Sequence, residues 1–293
     1  MALDAAMAML MQVPDFAPHA LRVQADLEHL PLRTGSLTGA WTHKSLMHVP
    51  GPRVPMALAE IHRVLAPGAA LHLRVTCDEL HDERDDPFVG RHFTYYPTPE
   101  FRDLVEGAGF EVIEASDDGS EWIDVEATRA RMLPDTVAPG MRLLIVGLNP
   151  SVFSADAGVG FARPGNRFWP AALAAGVATR SHDPYHLLRV DGVGMTNLVR
   201  RATARAAELN AWEYRDGYAR LERLVRRFPP RAVCFVGITG YRIAVDRRAG
   251  YGWQPARIAG VPVYVMPNTS GLNTHANPAD FEAHLRAALE PPT

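Results

Sequence analysis

The feature that most limits the fold of this chain is an unbroken apolar run ended at once by chain-turning residues. Leu143, Leu144, Ile145 and Val146 are followed by Gly147, Leu148, Asn149 and Pro150. Such a run has no polar face to offer water, so it suits a strand buried on both faces of a parallel sheet. Gly147 permits a sharp exit, and Pro150 holds the chain out of the ladder while biasing Asn149 toward extended backbone. Asn149 is thereby expected at the carboxyl end of a central strand, where open α/β sheets place their ligands. Its amide can hold a water but cannot ionise. On these residues alone, an ordinary strand-to-loop turn with Asn as turn former is the favoured reading.

The rest of the chain alternates strand and helix signals. Residues 232–236 and 261–266 predict two further buried strands, and 192–199 a loop-and-strand passage. Helices are expected over 164–175, with Pro164 near the start and Gly176 behind, and over 279–289. In 208–228, Tyr218, Leu221, Leu224, Val225 and Phe228 share one helical face with arginines opposite, and Pro229 and Pro230 end the helix. Upstream, a strand is expected around 40–41, then a helix carrying Leu58, Ile61 and Leu65 that stops at Pro67 and Gly68. A strand over 70–75, a helix over 97–107 capped by Gly109, and a strand from Val112 follow. This alternation implies a Rossmann-like sheet. The acidic stretch from Asp78 to Asp86 reads as an exposed loop.

Charge divides the chain. Residues 1–130 hold 10 Lys and Arg against 21 Asp and Glu, and the remainder holds 20 against 12. Two halves of opposite sign suggest two domains, the basic one suited to a polyanion. Two cysteines, Cys77 and Cys234, are too few for a disulfide framework. No run approaches a membrane span and the first residues lack a signal-peptide layout, so a cytoplasmic location without membrane contact is expected. Lys44 is the only lysine.

Three stretches taken together carry more than any one of them. They are residues 142–151, residues 160–169 with Gly160, Phe161, Arg163, Asn166, Arg167, Phe168 and Trp169, and residues 265–273 with Asn268, Ser270, Gly271, Leu272 and Asn273. In order and spacing they resemble the mismatch-specific uracil/thymine-DNA glycosylase family of the uracil-DNA glycosylase superfamily, over about residues 133–289. The resemblance implies a three-layer α/β/α domain with a central parallel sheet. It further implies a monofunctional glycosylase acting in base excision repair on double-stranded DNA with a G:U or G:T mismatch. No cofactor and no metal are implied, and a monomer is expected. The cysteine count excludes the iron–sulfur branches of that superfamily. The absence of lysine from the basic half points to water as nucleophile, leaving an intact abasic site.

Carried over residue by residue, the resemblance makes Asn149 the group that orients the attacking water. Phe161 would stack on the extruded pyrimidine, and Asn197 would read its edge, an Asn at this place being the thymine-glycosylase form. Gly147 and Ser151 would line the same substrate site. Asn268, Ser270, Gly271, Leu272 and Asn273 would form the loop that enters the duplex, with Leu272 as wedge and Asn273 facing the unpaired guanine. Arg163 and Arg167 are phosphate candidates by charge. Asp156, the carboxylate between the two halves of the first motif, is a secondary candidate for a base, ranked behind an exposed loop role.

The acidic half resembles class I S-adenosylmethionine-dependent methyltransferases from their second strand onward, over about residues 1–118. Asp4 would match the acid on the cofactor ribose, Asp26 the acid beside the adenine, and residues 60–68 the helix end before a central strand. The family's first strand and Gly-rich loop have no counterpart here. The expectation is an incomplete Rossmann-like domain, either degenerate or continued upstream. For Asp4 and Asp26 a turn- or helix-capping role ranks first. The expected organisation is 1–120 methyltransferase-like, 121–137 linker and 138–293 glycosylase-like. Two competing readings are a methyltransferase with a fused nucleic-acid-binding module, and a mismatch-binding module without catalysis.

Overall fold

The computed structural model describes residues 1–80, 82–85, 91–117, 119 and 121–292. The chain forms two compact units, Met1–Ala130 and Arg131–Thr293.

In the first unit, β1 (Ala2–Asp4) and β2 (Arg22–Gln24) make a parallel pair, with the short helices α1 (Met7–Leu10) and α2 (Val13–Phe16) between them. A second sheet runs β5 (Asp82–Asp85), β6 (His92–Tyr96), β4 (Leu65–Cys77), β8 (Trp122–Arg129), β7 (Phe110–Ser116), and β3 (Leu37–His43) also pairs with β4. The β3 and β6 pairings with β4 are parallel, and those of β8 with β4 and β7 are antiparallel. Helices α3 (Val54–Val64) and α4 (Thr98–Gly107) complete the unit, and α3 buries all but one of its residues.

Two expectations need correction here. Residues 121–137 are not simply a linker, because β8 lies inside the sheet between β4 and β7. Ile123, Val125, Ala127 and Arg129 alternate inward in β8 while Asp124 and Glu126 look outward, the period of two that a half-buried strand requires. The outward acids gave that segment the look of a polar connection. The acidic stretch is likewise part strand, since Asp82–Asp85 pairs with β6. Its His81 and Asp86, with Asp118 and Ser120 ahead of β8, lie outside the described residues.

The second unit is a three-layer α/β/α domain. Strands β10 (Val193–Asn197), β9 (Leu143–Gly147), β11 (Val233–Val236) and β13 (Val261–Met266) lie side by side in parallel, and β12 (Gly252–Ile258) pairs antiparallel with β13 at one edge. Leu143, Ile145, Cys234, Val236, Tyr264 and Met266 pack on one face with α6 (Phe168–Ala174), α7 (Pro184–Arg189) and α10 (Pro278–Ala288). The alternate residues Leu144, Val146, Val233, Phe235, Val263 and Val265 are equally buried and lie outside that cluster. Strand periodicity turns them to the other face, where α8 (Ala211–Arg227) and α9 (Ile238–Ala244) cover the sheet. The Phe235 ring meets Tyr241 of α9 at 5.1 Å. Helix α5 (Val152–Ala157) follows the Asn149 turn. Among the described residues no helix is long and apolar enough to cross a membrane.

The helix expected from Pro164 starts at Phe168 instead, because Arg163 to Asn166 close a turn in which the Asn166 N–H donates to the Arg163 carbonyl. The helix expected over 208–228 is α8, started by a reciprocal cap between Asn210 and Glu213.

Candidate functional site

Strand β9 has β10 on one side and β11 on the other, and the chain visits them in that order. Crossovers that leave a central strand first to one side and then to the other open a crevice at its carboxyl end. Gly147 ends β9 in that crevice, and its register partner on β10 is Asn197. A Cβ at residue 147 would lie 2.6 Å from Asn197 Oδ1 and 3.3 Å from Phe161 Cζ. Glycine is what lets the amide and the ring close over the strand end.

Phe161 is held in an uncommon conformation. Its φ of 57° is a left-handed value that costs a bulky side chain about 1–2 kcal/mol. The ring stacks on Phe168 at 4.3 Å with 21° between planes, and Trp169 Nε1 donates to the Gly160 carbonyl at 2.9 Å. Phe168 and Trp169 are wholly buried, so the strained residue stands on a rigid base. Among the described residues, no hydrogen bond reaches the side-chain amide of Asn197. Phe161 and Asn197 border a cavity of about 20 Å³, shared with Leu133, Gly160 and Met195. That is room for about one water and not for a nucleobase.

Asn149 is half-buried, and its environment is polar. Its Nδ2 donates to Thr203 Oγ1 at 2.7 Å, to the Arg201 carbonyl at 3.1 Å and to the Pro150 carbonyl at 3.2 Å. Carbonyl oxygens only accept, so the amide orientation is dictated: nitrogen toward these partners, Oδ1 away from them. The free end is a fixed acceptor, the group a water would donate to. Thr203 is 4% exposed and donates its own N–H to the Pro150 carbonyl. Sequence reasoning missed Thr203, because a lone Thr after an arginine-rich turn has no local pattern.

The two motif loops meet. The Arg167 N–H donates to the Thr269 carbonyl, and Thr269 Oγ1 donates to Asn166 Oδ1 at 2.9 Å. A Cβ at Gly271 would lie 2.8 Å from the Gly165 carbonyl oxygen. Between the loops an open groove of about 240 Å³ is lined by Arg163, Asn166, Ser270 and Leu272. Leu272 is 84% exposed, and Asn268 and Arg163 are exposed as well.

Several expected roles change. Arg167 does not face outward to a phosphate: its guanidinium donates to the carbonyls of Ser270, Asn273 and Ala276 and sits 4.7 Å over the Phe281 ring. It clamps the second loop. The Asn273 amide is also spent inside that loop, donating to the Asn268 carbonyl and accepting from the His275 N–H, so it is not free to face a guanine. Ser151 Oγ accepts the Ser154 N–H as the N-cap of α5, rather than standing free for substrate. Both oxygens of Asp156, on α5 rather than in a loop, accept from Arg131, so the carboxylate is engaged in an ion pair. Asp4 Oδ1 accepts the Ala6 N–H and Asp26 Oδ1 the Glu28 N–H, the turn-capping role ranked first for both.

A family model described as "Uracil DNA glycosylase superfamily" matches residues 134–290, and one described as "Methyltransferase domain" matches residues 1–73. Among solved structures the chain is similar to a 1,6-didemethyltoxoflavin-N1-methyltransferase from Burkholderia thailandensis, at 18% identity and TM-score 0.38 over 44% of this chain and 60% of that one. It is similar also to S-adenosylmethionine-dependent methyltransferases from Mesorhizobium loti, at 16% and 0.36 over 43% and 78%, and from Methanosarcina mazei, at 16% and 0.37 over 44% and 80%. This chain thus spans 60% of the Burkholderia enzyme's length.

Proposed function

Since this chain belongs to the uracil DNA glycosylase superfamily, whose model covers more than half of it, we propose that its second unit is a monofunctional, mismatch-directed DNA glycosylase. Its substrate would be uracil, thymine or a damaged pyrimidine opposite guanine in duplex DNA. The observation that carries this reading is the Asn149 amide, whose nitrogen is tied to Thr203, Arg201 and Pro150 so that its oxygen is a fixed acceptor at the crevice.

Chemistry on a stacked base requires its extrusion, which costs a few kcal/mol and less at a mismatch. The flipped pyrimidine lies against Phe161, a stacking interaction worth about 1–3 kcal/mol per base. Because the cavity beside Phe161 holds only about one water, the pocket widens on binding. Asn197 offers a donor and an acceptor with no hydrogen-bond partner among the described residues, matching the alternating imino and carbonyl groups of uracil or thymine. Leu272, standing out at the tip of its loop, fills the vacated space in the stack. Arg163 beside it meets a backbone phosphate.

As the glycosidic bond breaks, the base leaves with the bonding electrons and the sugar becomes oxocarbenium-like. A water donating to Asn149 Oδ1 then adds through its oxygen to the anomeric carbon, and the proton it loses passes through solvent to the departed pyrimidine anion. Asn149 acts by placing the water, being too weak a base to deprotonate it. No lysine exists in this unit to form a Schiff base. Incubation with end-labelled duplexes containing one G:U or G:T pair tests the proposal. Strand breaks should appear only after alkali. No breaks with either duplex, or breaks without alkali, would overturn it.

The match of residues 1–73 to a methyltransferase model supports a second reading, a methyltransferase fused to a nucleic-acid-binding module. Equilibrium dialysis with S-adenosylmethionine separates the two. Engagement of Asp4 and Asp26 in local turns leads us to expect no retention of the cofactor.

A further inference from the structure

Helix α8 engages the segment 197–201 at three successive points, two on its backbone and one on the Arg201 side chain. At residue 220, the Arg220 guanidinium donates to the Asn197 carbonyl at 2.7 Å and to Thr196 Oγ1 at 3.0 Å, and pairs with Asp135 Oδ2 at 2.7 Å. Thr196 Oγ1 donates in turn to Asp135 Oδ1. At residue 217, a Cβ would lie 2.0 Å from the Leu198 carbonyl oxygen, so the helix axis rests directly on that peptide. At residue 213, the Glu213 carboxylate receives Arg201 Nε at 2.8 Å and Nη2 at 3.0 Å. Positions 213, 217 and 220 are four and three apart and therefore share one face of the helix. All three are buried.

The segment so held bears one amide of the site and anchors the other. Asn197 is its first residue, and the carbonyl of Arg201, its last, accepts from Asn149 Nδ2. Between them the Leu198 and Val199 N–H groups donate to the carbonyls of Gly147 and Leu148 on the chain leading to Asn149. A buried ion pair such as Asp135–Arg220 is weak evidence of net stability, because desolvating its charges offsets their attraction. Arg220 Nη2 instead donates to the strand end that carries Asn197.

We propose that α8 is the positioning element of this site: Arg220 sets Asn197, and Glu213, through Arg201, sets Asn149. The inference rests on the glycosylase reading for its catalytic consequence, but not for its structural one. Arg220 and Glu213 are positioning residues that never meet the DNA, and they act on different steps. Loss of Arg220 loosens recognition of the pyrimidine edge, whereas loss of Glu213 displaces the water acceptor.

The test uses the full chain with a duplex containing one G:U pair, under single-turnover conditions with enzyme concentration varied. Arg220→Met should raise the half-saturating enzyme concentration about tenfold, with Arg220→Lys recovering part of the loss. Glu213→Gln should lower the saturating rate about 10- to 100-fold, the scale of a small misplacement of a reacting group, with half-saturation unchanged. Amide hydrogen exchange on the same proteins is the second readout, and Leu198 and Val199 should exchange faster in Gly217→Ala and Arg220→Met. If the wild type excises and folded variants match it in both parameters, or lose both in equal proportion, the assignment to α8 is wrong. If the wild type excises nothing, the glycosylase reading fails, and unchanged exchange at 198 and 199 then overturns the brace on its own.

Discussion

Asn149 shows how a side chain without an ionisable group can be given a direction. Thr203, Arg201 and Pro150 take the nitrogen end, and what remains is an oxygen whose place is fixed. Replacing Asn149 by Ala removes that acceptor, and the single-turnover excision rate should fall by roughly 100- to 10,000-fold, the range for such groups. Undiminished excision would take Asn149 out of the mechanism. Thr203→Val keeps shape but deletes the shortest of the three bonds. The amide stays in place less of the time, so the rate should fall about tenfold for a stability loss of about 1 kcal/mol, read by urea unfolding. Retention of the full rate in that variant would show that the two carbonyls suffice. The position of Asn149 at a strand end was legible from Gly147 and Pro150. The part played by Thr203 was not, since it lies 54 residues away and meets Asn149 only through folding.

At the scale of elements, the apolar runs at 143–146, 232–236 and 261–266 are strands because each lacks a polar face, and the alternation of strands with helices was enough for an α/β reading. Strand β8 was misread because its inward residues include Arg129 and its outward ones are acidic, so that composition hid the period of two. The loop that carries Leu272 depends on a close approach between backbones: a side chain at 271 would push into the Gly165 carbonyl. Gly271→Ala should therefore separate the two motif loops and lower affinity for mismatched duplex about tenfold or more, measured by fluorescence anisotropy. Leu272→Ala leaves the backbone alone. It should weaken binding to the mismatch and slow excision while leaving the melting temperature unchanged, because an 84% exposed side chain contributes little to folding. Equal binding by Leu272→Ala would exclude the wedge role.

At the scale of the whole molecule, the two units should answer acid differently. In the first unit, burial and the nearby Arg129 charge lower His62 from an ordinary value of 6.5 to about 3. Above pH 6.5 the imidazole is neutral in both states. Below it the unfolded chain binds a proton that the folded chain refuses until about pH 3, so folding loses up to about 1.4 kcal/mol per pH unit across that window. Urea unfolding followed through Trp41 and Trp122 should show the midpoint falling from pH 6.5 toward pH 4, and His62→Leu should flatten that slope. An unchanged slope would exclude His62 as its cause. In the second unit, the Arg201 guanidinium holds Glu213 at about 2, so the stability it contributes is present above the usual carboxylate range and is lost only as pH falls toward 2.

The sequence by itself determined the α/β class, the division between an acidic and a basic half, the strand end that carries Asn149, and the motifs that mark the superfamily. Each of these is written in neighbouring residues, through hydrophobic period, glycine and proline, or local charge. Only the tertiary structure decided that Asn197 stands beside Gly147, that Arg167 clamps a loop instead of facing outward, and that α8 carries the segment joining both amides. The register of parallel strands and the partners of a buried guanidinium are set by packing between segments far apart in the chain. A solvated arginine and a buried one are the same letter until the fold decides which carbonyls surround it.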